Sequence, residues 1–428
     1  MGSNSINKRV VIFFWDGWLS VSPSMINTIL LLHKNGYEVD CIMRHLDYQI
    51  ADDIDFPEGV NIHRYGSQLK PTDQVNNKNE VFVAIRKNAT WHAIKKALGI
   101  KSIGYNFKRN REILSEFCNY IRFSKKIISD KKYSFVIGVD TKGLVSAGIL
   151  FFFKKITLVY FSLEIRFVTD FNFFIDRKIK QLEKYFHKKV NFTIIQDKYR
   201  LAILNKENGV SENASNFVIV PNGPMGKFEN IQSSYFKDLF QFSDDDVIVL
   251  HAGGLSTGIM NDEIAICSTT WPDNFKLVFH FSVYFDEDSN AIERLKKLSN
   301  NKAYFSILPV PFDQLATITS SAHVGIAFYS KKRGLNHSVI VGASGKMASY
   351  FNCGLPVIVL DLVGFKELFD AYQCGVVIKS PDECGQAITT IMNDYEKYSL
   401  NAARCYEEVY EFESHFKKVL DKIDTIKN

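Results

Sequence analysis

The sequence predicts an α/β protein made of two doubly wound parallel sheets, one per domain, facing each other across a cleft. Three observations carry this. Short apolar runs alternate with helical segments along most of the 428 residues, the pattern of parallel strands joined by crossover helices. The alternation breaks at Pro221-Asn222-Gly223-Pro224 and restarts at Val247. Net charge reverses at the same place: residues 1–225 carry 33 Lys+Arg against 21 Asp+Glu, and the remainder 19 against 26. The chain is also long enough for two domains of about 200 residues. We place these at 1–220 and 221–405, with a terminal helix over 406–428.

The elements follow in order. Val10 to Phe14 is an apolar strand ending at Trp15-Asp16-Gly17, and Pro23 to His33 a helix stopped by Gly36. Tyr37 to Met43 and Val60 to Arg64 are the second and third strands. Residues 67–104 are polar and irregular, a long loop or insertion. Ser134 to Val139 is a strand ending at Asp140, with a helix from Lys142. Ile156 to Phe161 ends at Ser162-Leu163-Glu164, and Phe192 to Ile195 and Phe217 to Val220 complete the first unit. In the second, Val247 to Leu250 runs into His251-Ala252-Gly253-Gly254, and Phe275 to Phe281 and Tyr304 to Leu308 follow. A helix spans Phe312 to Ser321, and Val324 to Phe328 precedes a loop from Tyr329 to Gly342. Ser344 to Asn352 then reads as a helix closed by Gly354, and Pro356 to Leu360 as a buried strand. Residues 382–428 are mostly helical.

Composition excludes several classes. The apolar fraction of 46% supports a full core. Seven Cys lie singly with no metal spacing, which suits reduced cytoplasmic thiols and no metal. The longest apolar run, Gly143 to Phe153, is too short to span a bilayer. No nucleic-acid motif is present, so no nucleic-acid partner is expected. A basic stretch from Arg86 to Lys132, interleaved with Trp91, Tyr105, Phe107, Phe117, Tyr120 and Phe123, suits an anionic membrane face or a phosphorylated acceptor; a solvated helix face would look the same.

Ligands of open α/β sheets bind beyond the carboxyl ends of the strands, so the residues there are weighed first. Ser344 and Gly345 expose the free N–H groups of a helix start, an anion site. Lys346 puts a cation in that first turn, where the dipole disfavours it by roughly 0.3–1 kcal/mol. An anion between them, such as a nucleotide diphosphate, makes sense of both. Gly253-Gly254 lets backbone approach a phosphate closely. Arg333, in Lys331-Lys332-Arg333-Gly334, is a second cation with bidentate reach. Asp16, Asp140 and Glu164 end strands on the cleft side of the first unit, where burial would raise a general base; capping or turn roles would place them there too.

Small residues, Lys346, then Tyr350-Phe351-x-x-Gly354-x-Pro356-Val357-Ile358 resemble the donor helix and strand of GT-B glycosyltransferases of the retaining, family-four type. The order Pro-Asn-Gly, strand-Gly253-Gly254-Leu255-Ser256 and the central strand and helix extends the likeness over about 215–380, with the first domain matching loosely. The resemblance implies a GT-B fold of two Rossmann-like domains, with the terminal helix able to cross back to the first. It implies that Lys346, with Arg333 here, neutralises the leaving diphosphate, and that Leu308 to Pro311 clasp the base through backbone groups. The family's two glutamates fall on Val341 and Ser349, its Arg after the first Gly on Gly254, and its later Lys-Gly pair is not evident, so four familiar groups are missing. Ser349 can still bond a ribose hydroxyl, while His337, Asn336 or Ser338 can contact the transferred sugar. Glu367 matches the family's Gly-x-x-Glu-Leu segment, and Glu164 stands where members often carry a His near the sugar.

The implied function is transfer of a sugar from a nucleotide-sugar to a glycan or lipid-linked acceptor in surface polysaccharide or glycoconjugate synthesis. Lys346, Arg333, Glu164 and Asp16 are the catalytic candidates, and Asp140 lies on the acceptor side. Gly253, Gly254, Leu308, Ser344, Gly345, Ser349, His337 and Glu367 are the donor-side candidates. No cofactor is expected, and the location is cytoplasmic, with or without peripheral contact to the membrane. A catalytically silent partner subunit and a sugar-nucleotide epimerase are the alternatives.

Overall fold

The computed structural model describes residues 8–17, 19, 22–45, 54–66, 103–151, 154–211, 216–228, 230–256, 258–282, 284–310 and 314–427. Seven strands form the first sheet: β1 (Lys8–Phe14), β2 (Tyr37–Arg44), β3 (Val60–Tyr65), β4 (Phe135–Val139), β5 (Thr157–Phe161), β6 (Phe192–Ile195) and β7 (Phe217–Ile219). Their order is β3-β2-β1-β4-β5-β6-β7, all parallel. Its helices are α1 (Pro23–Lys34), α2 (Ile103–Ile128), α3 (Asp140–Phe151), α4 (Phe174–His187) and α5 (Lys198–Asn208). Strand β1 shows why the sheet is covered on both faces: Val10, Ile12 and Phe14 enter one core with α1, and Val11, Phe13 and Trp15 enter the opposite one with α2, α3 and α4.

The second sheet has six parallel strands in the order β10-β9-β8-β11-β12-β13. They are β8 (Val247–Gly253), β9 (Phe275–Phe281), β10 (Ala303–Ser306), β11 (Val324–Ile326), β12 (Val357–Leu360) and β13 (Gly375–Ile378). Around them lie α6 (Tyr235–Phe240), α7 (Asn261–Cys267), α8 (Asn290–Leu298), α9 (Leu315–Thr319), α10 (Leu335–Ser338), α11 (Gly345–Asn352), α12 (Phe365–Tyr372), α13 (Cys384–Met392) and α14 (Tyr395–Cys405). A π-helical turn, Tyr406–Tyr410, leads into α15 (Phe412–Lys427). Helix α15 leaves the second unit and buries Phe412, Phe416, Val419 and Ile423 completely in the core beside α1.

Several boundaries differ from the sequence expectations. The helix expected from Lys142 starts at Asp140, which holds a left-handed φ of 53°. Strand β10 stops at Ser306, so Leu308 lies beyond it, exposed. Strand β13 is an element the sequence reading missed. Residues 67–102 of the expected loop, and with them Arg86 to Lys96 of the basic stretch, lie outside the described residues.

The two units meet at the strand ends. The Asn222 amide donates to Ala343 O (2.9 Å), and its N–H to Gly342 O (2.8 Å). From α1, Ser24 donates to Asn222 Oδ1 (2.8 Å) and Asn27 to Gly223 O (3.0 Å). Asp197, at the end of β6, accepts the N–H of Gly342 (3.1 Å). The segment that leads into α11 is therefore fastened to the first sheet.

Candidate functional site

Helix α11 starts at the switch point of the second sheet, between β8 and β11, where the crossovers diverge and leave a crevice. Ser344 caps it: its Oγ accepts the N–H of Met347 (3.2 Å) and lies 2.6 Å from the Tyr329 hydroxyl. One turn on, the Tyr350 hydroxyl accepts the N–H of Ala252 (2.8 Å) and lies 3.3 Å from Leu250 O. Gly325 makes room for that ring, since a Cβ there would meet Tyr350 Cδ2 at 2.4 Å. Helix α11 is thus keyed to the end of β8, which delivers Gly253 to the helix start.

Lys346 occupies the resulting niche. Its residue as a whole is half-buried, but its ammonium is sealed from solvent and has no hydrogen-bond partner. It rests on Gly253, whose hypothetical Cβ would sit 3.5 Å from Nζ, and lies 5.9 Å from the Tyr329 ring centroid. Gly253 has φ 137°, a conformation that itself favours glycine. Burial pulls the Lys346 pKa down to about 7 and pushes the Tyr329 phenol up to about 12. Under the niche, His251 Nδ1 donates to Ile326 O (3.2 Å); burial first, then Lys346, holds it neutral. A buried cation without a partner is costly unless a ligand completes it. The nearby backbone offers room: nothing lies within 4 Å of a Cβ built on Gly254 or Gly345.

The Gly253-Gly254 turn is folded by Asn261, whose Oδ1 accepts from Ser256 N (3.2 Å) and whose amide donates to Gly254 O (3.4 Å). His337 abuts the loop that follows it: a Cβ on Gly258 would meet His337 Cε1 at 2.5 Å. Its ring is 6.2 Å from Tyr329, and its Nδ1 is buried and unbonded. So Gly253, Gly254, His337, Ser344, Gly345 and Lys346 come together. Ser349 lies on the same helix, half-buried. The backbone of Arg333 lies in a short 3-10 turn before α10; its side chain is outside the described residues. Val341, where the family resemblance puts a glutamate, is buried in the second core.

Glu367, in the first turn of α12, is exposed and already bridged to the first unit. Lys198 Nζ is 2.6 Å away, the Tyr199 hydroxyl also donates to it, and the Lys198 bond leads in holding its carboxyl below the ordinary range. Asn336 is likewise taken: its amide donates to Ile165 O (2.7 Å) and its Oδ1 accepts from Ile165 N (3.3 Å).

On the first sheet, Asp16, Asp140 and Glu164 end β1, β4 and β5. Gly143 allows α3 to start tight against β1, since a Cβ would meet Phe13 O at 2.2 Å. That places Asp140 near Asp16. Burial, and then the Asp16 charge, push the Asp140 carboxyl well up. Its Oδ1 accepts the N–H groups of Leu163 (2.7 Å) and Glu164 (2.9 Å). Asp140 is thereby used in a turn, while Glu164 is exposed. Among the described residues no cluster of three or more His, Cys, Asp or Glu could hold a metal, and no helix is long and apolar enough to cross a membrane.

No family model and no curated protein matches the sequence. Solved structures do match over the full length. Sucrose-phosphate synthase from Thermosynechococcus elongatus superposes with a TM-score of 0.69 at 13% identity, covering 98% of this chain and 99% of that one. Anabaena HepE in complex with UDP and glucose gives 0.63 at 11%, covering 98% and 100%. WaaG, a glycosyltransferase involved in lipopolysaccharide biosynthesis, gives 0.59 at 13%, covering 97% and 99%. At such identities the likeness speaks for architecture, and with two parallel-sheet units of seven and six strands the chain adopts the GT-B fold.

Proposed function

We propose that this protein is a glycosyltransferase that moves a sugar from a nucleotide-sugar to a glycan or lipid-linked acceptor. The observation that carries it is the ammonium of Lys346, sealed between the Gly253 backbone and the start of α11 with no hydrogen-bond partner among the described residues and the Tyr329 ring beside it. A nucleotide diphosphate would complete that niche, with Ser344 at the helix start beside it and Lys346 supplying the charge; the Gly345 N–H, expected free from the sequence, is instead donated to Ala343 O (3.1 Å). As the sugar leaves, negative charge grows on the diphosphate, and a fixed cation there lowers the barrier. In a retaining transfer the departing phosphate can take the acceptor's proton, so no strong enzymic base is needed. HepE was solved with UDP-glucose, which makes UDP-sugars the first donors to try.

The test has two stages. Calorimetry with UDP, ADP, GDP and CMP identifies the base. Donor turnover is then compared with Lys346→Ala, which should lower the rate about 10²-fold or more with folding intact. Wild-type turnover in the folded variant sinks the assignment. A second reading, a silent partner subunit that binds the nucleotide-sugar, is favoured by Val341 and Ser349 at the two positions of the family glutamates; tight nucleotide binding with no turnover on any donor would select it. Turnover of the donor alone to an epimer would select an epimerase.

For location we propose the cytoplasmic side of a membrane, held at its surface by a basic and aromatic face. Phe107 of α2 and Phe174 of α4 are exposed neighbours, since Asn110 Oδ1 accepts from Ile175 N (2.8 Å). Lys178 lies 5.3 Å from the Phe174 ring centroid, and Lys108, Arg111 and Arg177 are exposed around them.

A further inference from the structure

The four residues after β5 are held by side chains at nearly every backbone polar group. Ser162 O accepts from Gln196 Nε2 (2.7 Å). Leu163 N and Glu164 N both donate to Asp140 Oδ1, at 2.7 and 2.9 Å. Leu163 O accepts from Arg200 Nη2 (2.7 Å), and both polar groups of Ile165 bond to the Asn336 amide. Arg200 is itself fixed, fully buried, with its Nε donating to Gln196 Oε1 (2.7 Å). The donors and acceptors come from α3, the β6 end, α5 and, across the cleft, α10.

This is an unusual outlay for a loop. Ordering each backbone residue costs about 1–2 kcal/mol of entropy, and a turn at a strand end needs only a few bonds. The buried Arg200 and the buried, left-handed Asp140 are committed here. Backbone strain of this kind gathers where geometry matters for function. What the clamp presents is the exposed side chain of Glu164, with its backbone held on both sides.

We propose that Asp140, Arg200 and Asn336 are positioning residues for Glu164, and that Asn336 makes the clamp complete only when the two units are together. The inference rests on the glycosyltransferase reading, in which Glu164 contacts hydroxyls of the transferred sugar or the acceptor. Asn336 adjoins His337, which abuts Gly258 in the loop that follows the Gly253-Gly254 turn. A donor seated on that turn and a fixed Glu164 are thus linked through one short helix. Fixing a carboxylate before the substrate arrives removes reorganisation from the reaction step.

The experiment pairs hydrogen exchange with kinetics. In Asn336→Ala, amides of Leu163 to Ile165 should exchange at least tenfold faster, kcat should fall tenfold or more, and UDP affinity should stay within threefold. Asp140→Asn keeps an acceptor for both N–H groups and should retain slow exchange and kcat, whereas Asp140→Ala should lose both; if Asp140→Ala fails to fold, the interface variant Asn336→Ala decides alone. Unchanged exchange in Asn336→Ala overturns the proposal, as does faster exchange with kcat intact. The exchange arm needs no substrate. A wild type that turns over no nucleotide-sugar therefore overturns the glycosyltransferase reading, while exchange still judges the clamp.

Discussion

Lys346 carries the electrostatics of the niche, and its titration can be followed. Its ordinary pKa of 10.5 falls to about 7 because burial takes the ammonium out of water. Between those values the unfolded chain binds more protons than the folded one, so stability rises with pH there, by at most about 1.4 kcal/mol per unit. We expect wild type to gain on Lys346→Met in urea unfolding between pH 7 and 9, at fixed ionic strength. A diphosphate favours the charged form, so its affinity should fall up to tenfold per unit above pH 7, and Lys346→Met should flatten that profile. A parallel pH dependence in both proteins would show that the ammonium is not the group titrating. Lys346 and Gly253 were legible in the sequence because each breaks a local rule: a cation in a first turn, a glycine pair at a strand end. Asn336 was legible only as a candidate sugar contact and Arg200 not at all, since their roles lie in contacts with residues 171 and 37 positions away. Asp140 is legible by its place at a strand end but not by its role: its carboxyl accepts the Leu163 and Glu164 N–H groups instead of standing free as a base.

Among elements, α11 was legible nearly to the residue, because a Ser cap opens it and a left-handed Gly354 follows it. Strand β13 was not: four residues give too short a period, and Gly375 is there because a Cβ would strike Val357 O at 1.9 Å, a fact of pairing rather than of sequence. Helices α2 and α4 carry the exposed Phe107 and Phe174 among basic side chains. If that face meets an anionic bilayer, Phe107→Ser with Phe174→Ser should weaken sedimentation with phosphatidylglycerol vesicles about tenfold or more, and 0.5 M salt should release wild type. Equal binding to neutral phosphatidylcholine vesicles, or none at low salt, would refute it. Lys131, part of the same basic stretch, is elsewhere engaged, 2.7 Å from Asp40.

At the level of the whole molecule, the break at Pro221 to Pro224 and the reversal of charge were enough to suggest two α/β units. How they are joined was not readable, because Asn222, Asp197 and Gly342 are ordinary turn residues until they meet. The final helix matters most for stability. Phe412, Phe416, Val419 and Ile423 are fully buried in the first unit, and four such side chains contribute about 6–12 kcal/mol. That rivals the whole stability of a typical domain, about 5–15 kcal/mol. Truncation after Cys405 should therefore unfold the first unit, seen as loss of its cooperative transition in urea; a truncated chain with wild-type unfolding would contradict this.

The same helix bears on how the protein is made. The ribosome finishes the first sheet with β7 at Ile219, but the helix that seals one face of it begins at Phe412. At roughly 5–20 residues per second the gap of about 190 residues lasts about 10–40 s. During that time Val159 and Phe161 of β5, Val218 of β7 and the facing side of α1 lack their last covering. The domain synthesised first is thus finished last, and nascent chains stalled before residue 412 should be cut by protease within the first unit, while full-length chains are spared.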